Sequence, residues 1–222
     1  AGKTTAIIGS TGCGKSTLVS LIPRLFDVSE GSVCVDGVDI RDMKMKDLRK
    51  MIGYVPQKGV LFSGTIASNI RFGKEDATQE EVEKAAMIAQ ATEFIEEKEK
   101  RYDSEVAQGG NNVSGGQKQR LAIARAIAKQ PKIYVFDDSF SALDYKTDAA
   151  LRKALNSEVA DATVIIVAQR ISTIMHADQI LVLEDGRIVG RGTHEELLAE
   201  NEVYQQIARS QLTQKDLEGK GC

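Results

Sequence analysis

Apolar and polar positions alternate in blocks along the chain. Five apolar runs predict strands, and the last three have the continuous apolar character of strands covered on both faces. The runs span residues 4–9, 51–56, 132–137, 162–168 and 179–185. Other stretches carry apolar residues at helical spacing. They span residues 15–26, 78–91, 115–130 and 194–212. This alternation predicts an α/β fold with a mostly parallel sheet covered by helices.

Two turn signals predict antiparallel hairpins within this pattern. Asp36-Gly37 separates two short β runs within residues 32–40. Glu184-Asp185-Gly186 leads into a further β run at residues 187–192. Asp-Gly between short β runs is typical of a tight hairpin turn.

The middle of the chain, residues 58–130, is mainly helical. We therefore expect residues 1–222 to form one domain, with a core at 1–57 and 131–222 and an inserted helical subdomain at 58–130. The chain begins without Met and almost directly on a strand. We read it as an N-terminally truncated fragment of a longer protein.

Composition narrows the class of protein. The chain is 42% hydrophobic and 27% charged, and its net charge is −3 without a basic segment, which argues against a nucleic-acid surface. Its three cysteines, Cys13, Cys34 and Cys222, form no close pair and no metal-ligand pattern, as expected of free thiols in a reducing compartment. No apolar run approaches the roughly 18 residues that span a bilayer, and no signal peptide is visible.

The segment GSTGCGKST, residues 9–17, matches a phosphate-binding loop between a strand and a helix. Glycines in such a loop let backbone N–H groups surround an anion. Lys15 would reach the β- and γ-phosphates of ATP, and the Ser16 hydroxyl would bind Mg²⁺. The residues expected to contact the nucleotide are Gly9, Ser10, Thr11, Gly12, Cys13, Gly14, Lys15, Ser16 and Thr17. The alternative is a glycine-rich turn that caps a helix and binds nothing.

Two adjacent carboxylates, Asp137 and Asp138, end the apolar run of residues 132–137. The Mg²⁺ of a bound nucleotide needs an acid at the tip of a strand near the phosphate loop, and Asp137 has that position. The alternative is that Asp137 caps the next turn.

A second glycine motif, Ser114-Gly115-Gly116-Gln117, follows the helical middle and opens a helix. Ser114 can cap this helix, and the glycines expose backbone N–H groups, so the segment is a second candidate anion site. One nucleotide need not occupy both sites. By itself this motif is a weak signal, and a simple helix start is then the better interpretation.

Together and in this order, these motifs resemble the nucleotide-binding domain of ATP-binding cassette (ABC) transporters over almost the whole chain. The resemblance implies a P-loop (RecA-like) core with a helical subdomain. It identifies residues 9–17 as Walker A, Ser114 to Gln117 as the signature and Asp137 as the Walker B aspartate. The sequences of residues 60–70 and 187–198 are similar to those of the exporter branch of the family.

The resemblance also assigns roles to further residues. Gln57 is the Q-loop glutamine, expected near both Mg²⁺ and the hydrolysed phosphate. Residues 104–111 lie where exporters contact the membrane domain, 141–144 form the D-loop and 164–178 the switch region. In the family two such domains stack head to tail, and each ATP lies between the Walker motifs of one and the signature of the other. The implied partners are a second cassette and the coupling helices of transmembrane domains.

The chain departs from the family at two catalytic positions. The residue after the Walker B Asp is usually Glu and here is Asp138, and the switch position is usually His and here is Gln169. Asp is one methylene shorter, and misplacement of about an ångström can cost on the order of 10²-fold in rate. Gln169 cannot carry a positive charge. These changes resemble the degenerate half of a heterodimeric exporter, in which this chain's own Walker site hydrolyses slowly. The alternative is that Asp138 still serves as the base.

We therefore expect an ATPase subunit of a heterodimeric exporter at the cytoplasmic face of a bacterial cell membrane, with ATP and Mg²⁺ as cofactors. Two rivals are a soluble ABC-superfamily ATPase and a regulatory module in which ATP only holds two domains together. A P-loop kinase is a third, but it gives no reason for the signature. For the segment KGVLF, residues 58–62, subdomain core and a dock for a coupling helix both remain open.

Overall fold

The computed structural model describes residues 1–159 and 161–211. Its strands are β1 Thr4–Gly9, β2 Cys34–Val35, β3 Val38–Asp39, β4 Ile52–Val55, β5 Gly64–Thr65, β6 Glu105–Val106, β7 Ile133–Asp137, β8 Thr163–Val167, β9 Gln179–Glu184 and β10 Arg187–Gly192. Its helices are α1 Lys15–Ser20, α2 Met45–Lys50, α3 Ile66–Arg71, α4 Gln79–Ile88, α5 Thr92–Glu96, α6 Gly115–Ala128, α7 Tyr145–Glu158, α8 Ile171–Ile174, α9 His194–Glu200 and α10 Glu202–Gln211. Cys222 lies outside the described residues.

A six-stranded sheet of order β10-β9-β1-β8-β7-β4 forms the core. All of its neighbouring pairs are parallel except β10 with β9, which is antiparallel. The central strands are almost completely buried, as their continuous apolar sequences predict. The predicted fold class is therefore confirmed, and the carboxyl ends of five parallel strands meet along one edge of the sheet.

The described residues also form three antiparallel strand pairs. β2 pairs with β3 around Asp36-Gly37, where both residues have positive φ, as the predicted hairpin requires. β10 returns along β9 through Asp185-Gly186, also at positive φ. A third pair, β5 with β6, lies within the helical middle of the chain and was not predicted.

Helices α3 to α6 lie between β4 and β7 in sequence and share one hydrophobic cluster with the sheet. Arg125 of α6 ties their loops together: its guanidinium donates to the backbone oxygens of Asn69 and Val60 and to the Asn69 side chain, each at 2.9 Å. Burial lowers the pKa of Arg125 to about 10. Within the described ranges, no helix has the length and apolar character needed to cross a bilayer.

Two predicted helices are shorter than their apolar spacing suggests. α1 ends at Ser20 instead of Phe26, because Pro23 has no N–H to continue the helical hydrogen bonds and Arg24 turns left-handed with φ 53°. The predicted helix 194–212 is two helices, since Asn201 adopts an extended backbone between α9 and α10. Residue 212 itself lies outside the described residues.

Gly73, just after α3, is a test of close packing between the helices. A Cβ added at this position would lie 2.1 Å from the backbone oxygen of Arg125. We expect Gly73→Ala to lower the free energy of unfolding by about 1–3 kcal/mol, because the clash is with backbone rather than with a mobile side chain. Denaturant unfolding measures this difference. Gly115→Ala is the matched control, since its Cβ would meet nothing within 4 Å; an equal loss there would contradict the packing argument.

Candidate functional site

The glycine-rich loop leaves β1 at Gly9 and enters α1 at Lys15. Gly12 and Gly14 have φ of +85° and +100°, conformations that favour glycine. No side chain caps the start of α1. The first N–H groups of a helix lack partners within the helix, so this loop can offer backbone donors to an anion.

Lys15 is buried, and its ammonium is bound to the loop itself. Nζ donates to the backbone oxygens of Gly9 at 2.8 Å and Ser10 at 2.7 Å. These two carbonyls hold the positive charge beside the loop, and no carboxylate among the described residues pairs with it. A phosphate oxygen is therefore a stronger electrostatic partner for Lys15 than the neutral acceptors it has here.

Cys13 lies beneath the loop rather than in an open position. Its side chain is buried in the same apolar cluster as Val19 and Leu183, with Sγ 3.7 Å from Lys15 Nζ. A Cβ added at Gly9 would lie 2.0 Å from the backbone oxygen of Leu183 and 2.8 Å from Cys13 Sγ. The small thiol and the bare Gly9 together let the loop pack against β9.

Asp137 ends β7 and receives two hydrogen bonds. Ser16 Oγ donates to Oδ1 at 2.8 Å, and the Tyr54 hydroxyl donates to Oδ2 at 3.1 Å. The structure thus brings together Ser16 and Asp137, which sequence analysis named as metal ligands. Hydroxyl and carboxylate oxygens are ligands that Mg²⁺ prefers, so these residues fit the ion.

Tyr54 was not identified from the sequence. It lies in β4, and its hydroxyl reaches the neighbouring strand to hold Asp137. Burial and the Asp137 charge raise the pKa of Tyr54 well above its usual range, so the hydroxyl keeps its proton and remains a donor. The only signal in the sequence is a polar tip on a predicted strand, which by itself names no partner.

Asp138 occupies a strained position at the end of the same strand. Its φ is +48°, and its N–H donates to the backbone oxygen of Val167 at 3.0 Å, which ties β7 to β8. Its Oδ2 accepts from Gln57 Nε2 at 2.9 Å and from Gln169 Nε2 at 2.8 Å. Burial raises the pKa of Asp138, and the hydrogen bonds from the two glutamines offset part of that rise.

These side chains surround a cavity of about 220 Å³ at the carboxyl edge of the sheet. Its lining includes six predicted site residues of the loop and three predicted partners from other segments. They are Thr11, Gly12, Gly14, Lys15, Ser16, Thr17, Gln57, Asp138 and Gln169, with Val167 beside them. Nine of the ten lining residues were thus named from the sequence, and they come from four segments far apart in the chain.

The second glycine motif does not line this cavity. Ser114 caps α6, accepting from the Gln117 N–H at 3.2 Å, while Gln117 Oε1 accepts from the Ser114 N–H at 3.1 Å. A Cβ at Gly116 would lie 3.4 Å from the backbone oxygen of Ala142, so the motif packs beside residues 141–144. The predicted helix start is confirmed, and no residue of this motif reaches the phosphate loop cavity.

Residues 58–62 divide between the two interpretations left open by the sequence. Leu61 is buried at 1% exposure, while Val60 and Phe62 are 54% and 44% exposed. Phe62 packs against exposed Phe72 with ring centroids 4.4 Å apart, and the Arg125 guanidinium lies over both rings. One residue belongs to the core, and the others form an exposed apolar patch.

The chain is similar to known ABC transporter proteins. Residues 1–141 match the family model described as ABC transporter. The chain is 51% identical over 223 residues to an uncharacterized ABC transporter ATP-binding protein of Mycobacterium tuberculosis, covering 99% of this chain and 38% of that protein. It is 45% identical to a β-(1→2)glucan export ATP-binding/permease protein of Rhodopseudomonas palustris, covering 95% of this chain and 35% of that protein.

A solved structure is also similar. A bacterial Atm1-family ABC exporter with ATP bound matches with a TM-score of 0.93 and 41% identity, covering 96% of this chain and 38% of that one. The chain thus spans little more than a third of the length of these relatives.

The raised pKa of Asp138 predicts a pH-dependent stability. An unfolded Asp ionises near pH 3.9. As pH rises through that value the unfolded chain loses its proton first, so folding stability declines until folded Asp138 also ionises. We expect Asp138→Asn, which cannot ionise, to gain stability relative to wild type from about pH 4 upward. Denaturant unfolding between pH 3 and 8 measures the difference.

Asp144→Asn provides a control of opposite sign. Hydrogen bonds from Thr147 lower the pKa of Asp144, so its contribution is present at neutral pH and is lost as pH falls. The free energy of unfolding of Asp144→Asn should therefore fall below that of wild type as pH rises. If the stability difference between Asp138→Asn and wild type did not change with pH, it would contradict the conclusion that burial raises the pKa of Asp138.

Proposed function

The chain belongs to the ABC transporter family, and from this premise we propose that it is the ATP-binding domain of an exporter, where binding and hydrolysis of Mg²⁺-ATP drive substrate across a membrane. The observation that carries the proposal is the meeting of Ser16 with Asp137, and of Gln57 and Gln169 with Asp138, at the edge of the cavity beside Lys15. Exporter relatives of similar sequence support the direction of transport.

In this proposal each part of the cavity has a distinct task. The loop N–H groups and Lys15 bind the phosphates, with Lys15 exchanging the Gly9 and Ser10 carbonyls for phosphate oxygens. Ser16, Gln57 and Asp137 would hold Mg²⁺. When bound, the ion supplies charge neutralisation for the phosphates. Tyr54 keeps the Asp137 carboxylate oriented toward the site.

Asp138 and Gln169 are proposed to act on the attacking water and the γ-phosphate. Both glutamine amides donate to the same Asp138 oxygen and so orient the carboxylate. Its side chain is one methylene shorter than that of Glu, and the glutamine at the switch position carries no charge, which together support a site that hydrolyses slowly. The same observation favours a second candidate function, an ATP-dependent dimerisation module without efficient turnover.

A second cassette is the proposed partner for the signature. Ser114 to Gln117 lie away from this chain's own cavity, and Gly115 has open space around it. This placement supports use of the signature by the nucleotide of another domain in a head-to-tail pair. We assign the partner to a non-identical exporter half, because an intact signature here is combined with altered catalytic residues.

The exposed patch of Val60, Phe62 and Phe72 is the proposed contact for coupling helices of transmembrane domains. Its rings are fixed by each other and by Arg125, which gives a preformed apolar surface. Such a location implies that the domain works at the cytoplasmic face of a membrane.

Removal of the Lys15 ammonium tests nucleotide binding. We expect Lys15→Ala to weaken Mg²⁺-ATP binding at least about 10-fold, because it removes a charge-assisted contact with the phosphates. Equilibrium binding of a fluorescent ATP analogue measures the loss. Lys50→Ala, at an exposed position on α2, should bind as wild type. Equal affinities for wild type and Lys15→Ala would refute the assignment of the loop.

Restoration of the usual catalytic residues tests the slow-site proposal. We expect Asp138→Glu to raise hydrolysis at this site partly, and Asp138→Glu with Gln169→His to raise it up to about 10²-fold, because the carboxylate regains reach and the switch can carry charge. Single-turnover phosphate release measures the rates, with the partner's catalytic Glu replaced by Gln so that only this site turns over.

The control for these variants is Asp137→Asn, which should weaken Mg²⁺-ATP retention instead. Wild-type turnover equal to that of the double variant would show that Asp138 is already a competent base. The slow-site proposal would then fail, while the ATP-binding proposal would stand.

A further inference from the structure

The last described helix reaches the segment that carries Gln169. At the end of α10, Gln211 Nε2 donates to the backbone oxygen of Gln169 at 2.7 Å, and Gln211 Oε1 accepts from the Ile171 N–H at 2.9 Å. We propose that Gln211 is a positioning residue for hydrolysis, clamping the backbone of Gln169 so that its side chain meets Asp138. This inference rests on the proposed function of Gln169.

The two bonds make a specific fit between one amide and one stretch of backbone. The carboxamide faces residues 169 and 171 with its donor toward a carbonyl and its acceptor toward an N–H, so the reverse orientation would lose both bonds. Ile171 begins α8, and Arg170 at the cap position supplies no side-chain bond. Gln211 therefore supplies, from 40 residues away, the cap that α8 lacks.

Two hydrogen bonds, one on each side of Gln169, connect Gln211 to the Asp138 carboxylate. Gln211 holds the Gln169 carbonyl, and the Gln169 side chain donates to Asp138 Oδ2 at 2.8 Å. Gln169 is itself exposed, and its side chain is long enough to adopt several rotamers. A fixed backbone at its base limits the directions in which that side chain can point.

Helix α10 is anchored well enough to act as a support. Tyr204 and Ala208 are fully buried at 0% exposure, and the Tyr204 hydroxyl hydrogen-bonds His194 Nδ1 at 2.7 Å. Within α8, Thr173 Oγ1 lies 3.5 Å from the buried carboxylate of Asp148, which pairs with Arg152. Since α8 is already held by packing, loss of the Gln211 amide should loosen the switch without unfolding the domain.

The main test compares Gln211→Met with Gln206→Met in the full-length protein that contains this domain. Met keeps the length of Gln and removes both bonds, and Gln206 is an exposed position on the same helix. We expect Gln211→Met to lower single-turnover hydrolysis of Mg²⁺-ATP on the order of 10-fold, with Mg²⁺-ATP affinity and thermal unfolding as in wild type. Gln206→Met should match wild type in all three. Wild-type hydrolysis in Gln211→Met would overturn the proposal.

Gln211→Glu separates capping of α8 from positioning of Gln169. A carboxylate can still accept from Ile171 N–H but cannot donate to the Gln169 carbonyl. We expect the Gln211→Glu variant to keep slow hydrogen exchange at the Ile171 N–H but to hydrolyse Mg²⁺-ATP as slowly as Gln211→Met. The Gln211→Met variant should exchange that N–H faster than wild type. Full hydrolysis in the Glu variant would reduce Gln211 to a helix cap and overturn the positioning role.

A double-mutant cycle tests whether Gln211 acts through Gln169. In a Gln169→Ala background, Gln211→Met should cause no further loss of hydrolysis, and additive losses would contradict the clamp. Failure of the proposed ATP-binding function can be told apart from failure of the clamp. If wild type binds no Mg²⁺-ATP, the proposed function fails, and exchange at Ile171 still reports whether Gln211 holds the switch; unchanged exchange in Gln211→Met would overturn the clamp itself.

Discussion

Parallel pairing of β1, β8 and β7 is the constraint on which the whole site depends. In this register the strands end at the same edge, so the phosphate loop after β1 lies beside the carboxylates at the end of β7. Ser16 and Asp137 are 121 residues apart in sequence, yet their side chains are 2.8 Å apart. β4 extends the edge and brings Tyr54 and Gln57 to the same place. A shift of one strand by a single residue would turn these side chains to the other face.

The electrostatics of the site follow from burying two adjacent carboxylates. The hydrogen bonds described for Asp137 and Asp138 come from hydroxyls and amides, which stabilise the oxygens without neutralising their charge. Burial raises the pKa of Asp138 because it penalises the charged carboxylate, and the neighbouring Asp137 charge adds a smaller rise. The Lys15 ammonium is meanwhile occupied by carbonyls of its own loop. Mg²⁺ and a polyphosphate would together give each of these charges an opposite partner.

The switch region connects this chemistry to the C-terminal helices. Gln169 contacts Asp138 with its side chain and Gln211 with its backbone, so one residue joins the carboxyl edge of the sheet to α10. The signature has no such connection to the cavity and packs beside residues 141–144. The domain therefore contains one cavity built from its own strands, and the signature lies on a separate surface, which we propose serves a nucleotide held by another domain.

Features that depend on neighbouring residues were determined by the sequence itself. Continuous apolar runs predicted the buried strands, because burial on both faces requires them. The phosphate loop was recognisable because its glycines, Lys15 and Ser16 lie within nine residues. Asp137 could be assigned because it stands at the end of a strand. Helical spacing was given more weight than Pro23 at the end of α1, and it did not reveal the break at Asn201 between α9 and α10.

Only the tertiary structure decided which distant side chains meet. Tyr54 holds Asp137 across 83 residues, and Gln211 holds the backbone of Gln169 across 42. Neither contact leaves a periodic or local pattern in the sequence, since a single hydroxyl or amide on a helix or strand has many possible partners. Their partners were fixed by strand register and by the packing of α10 against α8. These depend on contacts throughout the core, whereas the motifs depend on a few consecutive residues.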